Sequence, residues 1–100
     1  MRHLQDLYFL PKEIDFLAEE SERTPELADE IEAYRQKRKD ELLALEQAVN
    51  SIDDHLVRCA VILRGQQCLQ WREVAFRLGV PSVDALRTSV SRYLEKHPLP

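Results

Sequence analysis

The chain has 100 residues, 44% of them hydrophobic and 32% charged, enough for one small domain or one domain carrying a helical arm. Its 14 Lys/Arg against 18 Asp/Glu leave a formal charge of −4, a total that opposes nucleic acid, whose phosphates must be met by Lys and Arg. No apolar run approaches the roughly 18 residues of a membrane span and no signal-peptide core is expected; two glycines are too few for an all-β chain of tight turns or a glycine-rich phosphate loop.

The first amphipathic segment covers residues 4–21, with Leu4, Leu7, Tyr8, Ile14, Leu17 and Ala18 at helical spacing. Pro11 lies inside it. Proline lacks the N–H and clashes with the preceding turn, so the segment reads as one kinked helix, with a helix confined to residues 11–22 as the alternative. Residues 21–24 form a connection. Thr24 is placed to cap the next helix, Pro25 suits a first helical position, and Glu26, Asp29 and Glu30 oppose the positive end of the macrodipole. Leu27, Ile31, Tyr34, Arg38, Leu42, Leu45, Val49 and Ile52 then recur every three or four residues, a long helix of about 25 residues and ~38 Å. Its apolar stripe is narrow, like a coiled-coil seam, and needs a partner. The nearest is the first helix folded back in an antiparallel hairpin; the next is a second copy of the chain.

Ser51 with Asp54 three residues on has the form of a capping box. It predicts a helix from Ile52, with Leu56, Val57, Cys59, Ala60, Ile62 and Leu63 as apolar positions. Gly65 is expected to break it, leaving residues 66–70 as a loop. A short helix over Trp71–Leu78 is closed by Gly79 as a left-handed C-cap. Ser82 caps a last helix over Val83–Lys96, ended by Pro98. The fold class is therefore all-α: residues 1–51 an acidic helical hairpin arm, residues 52–100 a three-helix unit.

The net charge conceals a division. Residues 1–57 carry seven basic and fifteen acidic side chains, a sum of −8, whereas residues 58–100 carry seven basic and three acidic, a sum of +4. The basic half holds the functional signal. Val74 and Leu78 face inward, Ala75 permits close approach of a neighbouring helix, Gly79 takes the turn, Val80 plugs the core, and Ser82 begins the next helix. That is the order of a helix-turn-helix, with a turn about one residue longer than the commonest register. In the last helix Leu86, Val90 and Tyr93 or Leu94 form the buried stripe, while Asp84, Arg87, Thr88, Ser91, Arg92 and Glu95 remain outside. Arg87 to Ser91 and Thr88 to Arg92 are each four apart, so one face presents two arginines and two hydroxyls. Such a face suits base edges in a major groove. Arg72 and Arg77 on the preceding helix are candidate phosphate contacts, and Ser82 joins them as a DNA-binding candidate.

The run Ser51-Ile52-Asp53-Asp54, then Arg58, Leu63-Arg64, Leu69, Trp71, Val74-Ala75, Gly79, Asp84, Leu86-Arg87 and Arg92-Tyr93-Leu94 resembles a family of small phage- and prophage-encoded proteins. The C-terminal region of that family is similar to region 4 of sigma-70 factors, and its relatives include phage late-gene transcription activators. Leu4-Gln5-Asp6-Leu7-Tyr8 with Glu13-Ile14 is similar to the family's opening helix. The likeness covers nearly the whole chain and is strongest from Ser51 on. It implies a DNA-binding transcriptional regulator of a mobile element, from a Gram-positive bacterium. The sequence departs from the pattern at four positions: Gly65 stands where an aromatic is usual, Cys68 at a usual glycine, Gln70 at a usual serine N-cap, and Pro11 within a helix usually uninterrupted.

Other features have plainer readings. Trp71 is expected to anchor the core, and Tyr8, Phe9, Phe16, Tyr34, Phe76 and Tyr93 to lie mostly in core or seam. Cys59 and Cys68 are nine apart with no neighbouring His, which does not suit zinc; they read as reduced core and loop thiols of a cytoplasmic protein. His3, His55 and His97 are isolated surface residues. The basic run from Arg35 to Lys39, flanked by Glu30, Glu32, Asp40 and Glu41, reads as i,i+4 pairing on a solvated face. No catalytic constellation, cofactor or metal is expected, and the chain is not read as an enzyme. The expected partner is double-stranded DNA, with the acidic arm suited to homodimerisation or to a protein such as RNA polymerase. Two alternatives stay open: a helical adaptor that binds protein without DNA, and a small phage DNA-packaging protein.

Overall fold

A computed structural model describes residues 4–100; the surface expectation for His3 lies outside them. All their regular structure is helical, in five α-helices: α1 (Asp6–Arg23), α2 (Ala28–Asn50), α3 (His55–Val61), α4 (Trp71–Leu78) and α5 (Val83–Lys96).

Helix α1 runs unbroken through Pro11, so the alternative start at that residue is not adopted. An interior proline costs about 3 kcal/mol. Burial of Leu7, Leu10 and Ile14, at ~1.5–3 kcal/mol each, outweighs it. Asp6 in the first turn and Arg23 in the last complement the helix dipole.

Thr24 does not cap the next helix. Its hydroxyl donates to Glu20 Oε1 at 3.2 Å, and Pro25–Leu27 forms a separate turn of 3-10 helix before α2 begins at Ala28. No side chain caps α2; Asp29 and Glu30 in its first turn answer the dipole instead. The two long helices pack along each other in opposite directions. Near the connection, Arg35 Nε donates to the Ile14 carbonyl at 3.2 Å and Arg38 Nε meets Glu13 Oε1 at 3.1 Å. At the other end, Leu7 and Leu10 join Leu45 and Val49 in the core.

The capping box forms differently from expectation. Ser51 Oγ donates back to the Gln47 carbonyl at 2.8 Å, closing α2. Asp54 is the N-cap, accepting from the Val57 N–H at 3.1 Å. Helix α3 therefore starts at His55, three residues later than predicted, and Ile52 is buried within the linker. Gly65 does not end the helix either. The chain continues through a π-helical turn, Ile62–Gln66, in which Gly65 is buried. A Cβ built on Gly65 would come within 2.6 Å of the Leu4 carbonyl oxygen and 2.9 Å of Leu7 Cδ1. Glycine is there so that the start of α1 can approach.

The remaining boundaries match the sequence signals. Gly79 takes φ +68, with its N–H on the Phe76 carbonyl and the Val80 N–H on the Ala75 carbonyl: a Schellman closure of α4. Ser82 Oγ accepts from the Ala85 N–H at 3.1 Å and starts α5. One buried cluster links the helices, from Leu7, Leu10, Leu45 and Val49 through Val57 and Val61 to Val74, Leu86 and Val90, with Leu99 of the tail folded onto it. Trp71 is half-buried against that cluster, beneath the Arg64 guanidinium. Other aromatics depart from the core expectation: Phe9, Phe16, Tyr34 and Phe76 are exposed. Cys59 is exposed as well, not a core thiol. The radius of gyration, 16.2 Å, exceeds the ~13 Å of a compact 100-residue domain, because the free end of the α1–α2 pair reaches past the core.

Candidate nucleic-acid interface

Burial of Leu86 and Val90 toward α3 and α4 fixes which side of α5 meets water. The outer side carries Asp84, Arg87, Thr88, Ser91, Arg92 and Glu95, all exposed, and these six line one shallow groove. The six residues thus share one continuous surface. Within it Arg87 and Arg92 form no ion pair or hydrogen bond with any described residue, and the Thr88 and Ser91 hydroxyls are likewise unengaged. Free cations are costly to hold against one another and ready to bind an anion. Asp84 and Glu95 bracket the arginines at the two ends of the groove, so the positive potential is confined to the middle of the helix.

The other candidate residues divide. Arg72 is exposed and unpaired among the described residues. Arg77 Nε instead holds Glu73 Oε1 at 3.0 Å, which offsets much of its charge. Ser82 is committed through its oxygen to the cap of α5, leaving its O–H as a donor. Of the remaining basic residues after 57, Arg58 donates to Asn50 Oδ1 at 3.2 Å and Arg64 to the Leu69 carbonyl at 2.9 Å, so both are spent on the fold. Lys96 was not singled out by the sequence reading. It is exposed, unpaired among the described residues, and shares a second groove with Arg92, Ser89 and Asp54. Its position four residues after Arg92 was the available signal. Tyr93, which also lines that second groove, donates to Asp53 Oδ1 at 3.4 Å and packs its ring against His97.

The acidic arm surrounds its cations with carboxylates. Of its basic run, Arg35 pairs with Glu32 at 3.4 Å and Arg38 with Glu41 at 2.8 Å, while Lys37 and Lys39 are exposed and unpaired among the described residues. Both ion pairs are spaced i,i+3 rather than the expected i,i+4, the side chains reaching the nearer carboxylate on the same face. Hydrogen bonds to Glu41 and Tyr34 hold the Arg38 guanidinium above its ordinary value, assisted by the charge of Glu13 and opposed by burial. Among the described residues no cluster of His, Cys, Asp and Glu is arranged to hold a metal ion, and no helix is long and apolar enough to cross a membrane. No family model, curated protein or solved structure matches the chain.

Proposed function

We propose that the chain is a DNA-binding transcriptional regulator of a phage or prophage, acting in the cytoplasm, in which α4 and α5 form a helix-turn-helix and α5 reads the major groove. One observation carries the reading: Arg87, Thr88, Ser91 and Arg92 share one exposed face of α5, and neither arginine has a partner among the described residues. Arginine matches guanine O6 and N7, and hydroxyls accept or donate to several base edges. Asp84, in the first turn, is placed as an acceptor for a cytosine amino group. Arg72 and Lys96 extend the cationic surface beyond the reading face and are suited to phosphates. Arg77, paired to Glu73, contributes less. The acidic segment, −8 over residues 1–57, then faces away from the duplex and is available to protein.

The test is to map where the protein sits on the DNA around its own gene, by footprinting with wild type and with Arg87→Ala/Arg92→Ala. The reading expects a protected segment at a promoter, lost in the double variant while helicity is unchanged. Protection confined to a packaging site would favour a packaging role, and no protection anywhere would leave only a protein-binding role.

A further inference from the structure

Two open grooves run along α5, and Arg92 lines both. The charges on either side of it differ in kind. Arg87, in the first groove only, has Asp84 three residues before it, and the two leave each other open among the described residues. The same spacing closes Glu32 on Arg35 at 3.4 Å; aspartate is one methylene shorter. Asp84 and Arg87 therefore present an acceptor and a forked donor side by side, their Cβ atoms ~5–6 Å apart. Arg92 and Lys96, four apart in the second groove, present donors alone, and both are exposed and unpaired among the described residues. Of the carboxylates near them, Asp54 accepts the Val57 N–H as the N-cap of α3, and Glu95 lines the first groove but not the second.

We infer, resting on the reading of α5 as the major-groove helix, that its two arginines divide the work: Arg87 with Asp84 selects a G·C pair, and Arg92 with Lys96 clamps a backbone phosphate. Chemistry separates the two sites. In the major groove guanine offers the acceptors O6 and N7 and cytosine offers an amino donor, so a G·C pair matches a donor set beside an acceptor. A phosphate offers acceptors alone. The Asp84 carboxylate repels it, whereas two cations four apart on a helix repel each other and are relieved by a shared anion. Position agrees. Recognition helices touch base edges through their N-terminal residues. Asp84 lies in the first turn of α5 and Lys96 in the last, and Arg92 stands ~7.5 Å further along the axis than Arg87. The helix has no Asn or Gln, the side chains that hold adenine through two hydrogen bonds, so G·C is the pair it is equipped to select. The Thr88 and Ser91 hydroxyls serve several bases alike.

The experiment selects bound duplexes from a randomised pool with the full chain. Affinity is then followed across salt for the selected site and for the same site with each G·C pair replaced by A·T. The wild type is expected to select at least one fixed G·C pair and to bind about tenfold more weakly when it is replaced. Arg87→Lys keeps the charge and loses the fork; it should erase that preference and leave the salt slope unchanged. Arg92→Ala and Lys96→Ala should keep the preference, weaken binding to every duplex alike, and each reduce the slope by about 0.9. All three side chains are exposed, and circular dichroism checks that helicity is retained. A selected site with no fixed G·C pair, or a preference that survives Arg87→Lys and is lost in Arg92→Ala, would overturn the inference and spare the DNA-reading proposal. A folded wild type that binds no duplex at low salt would sink that proposal, and this inference with it.

Discussion

The Leu4 carbonyl oxygen stands 2.6 Å from where a Cβ on Gly65 would lie, so the arm and the α3–α5 unit meet at a point with no room for a side chain. A Gly65→Ala change forces backbone apart, and overpacking of this kind costs ~1–3 kcal/mol. Chemical denaturation should show about 2 kcal/mol lost. Gly79→Ala meets nothing within 4 Å but must keep φ +68, so it should cost ~1 kcal/mol from backbone strain alone. Equal losses at the two sites would mean that Gly65 is not a contact glycine.

Cys68 holds φ +56, a left-handed conformation that costs an L-residue with a Cβ ~1–2 kcal/mol. Replacing it by glycine removes that strain and adds some unfolded-state entropy. Cys68→Gly is expected to stabilise the protein by up to ~1 kcal/mol in a urea titration. A clear destabilisation would show that its half-buried side chain contributes more than the strain.

The caps can be ranked. Asp54 and Ser82 each accept from a backbone N–H of the first turn, so alanine at either should cost ~1 kcal/mol. Ser51→Ala should cost less, because its hydroxyl only supplements the end of α2. Gln70 has the extended backbone of an N-cap but no cap hydrogen bond, so Gln70→Ser should gain ~0.5–1 kcal/mol. Thermal melts of the four variants test the order.

These stabilities also show what was legible in the sequence. The α4–α5 unit was readable because Gly79 and Ser82 act on residues within a turn of themselves, and Leu86 and Val90 set the outward face of α5 by spacing alone. Gly65 has the local look of a helix breaker, but its reason lies at Leu4, sixty-one positions away and without a local signal. The competition between Ser51 and Asp54 for the start of α3, and the return of the Thr24 hydroxyl to Glu20, turn on geometries that spacing leaves degenerate. Phe9 and Phe16 lie on the side of α1 away from Leu7, Leu10 and Ile14, so their exposure was readable from spacing, whereas Tyr34 keeps the spacing of the α2 stripe and is exposed all the same. On the outer side of α5, spacing places Arg87 and Arg92 together, but it does not reveal that Glu73 occupies Arg77.

That last contact gives a graded prediction. On the DNA-reading account, Arg87→Ala and Arg92→Ala should each weaken duplex binding by about 1–3 kcal/mol, and Arg77→Ala by much less. Glu95→Gln removes a carboxylate from the end of the groove and should tighten binding several-fold. Competition assays on one duplex can rank all four, and an Arg77 effect equal to that of Arg92 would show that the Glu73 pair opens on binding.

The most direct measurement is the affinity for duplex DNA from the chain's own genomic neighbourhood across a range of salt concentrations, read by fluorescence anisotropy. Each phosphate neutralised contributes a slope of about −0.9 in log affinity against log salt. Phosphate contacts from up to three unpaired cations, Arg72, Lys96 and one of the α5 arginines, should give a slope of about −3 per copy, flattened in the Arg87→Ala/Arg92→Ala variant. A duplex that the folded wild type fails to bind at low salt, or binds with no dependence on salt, would contradict the account.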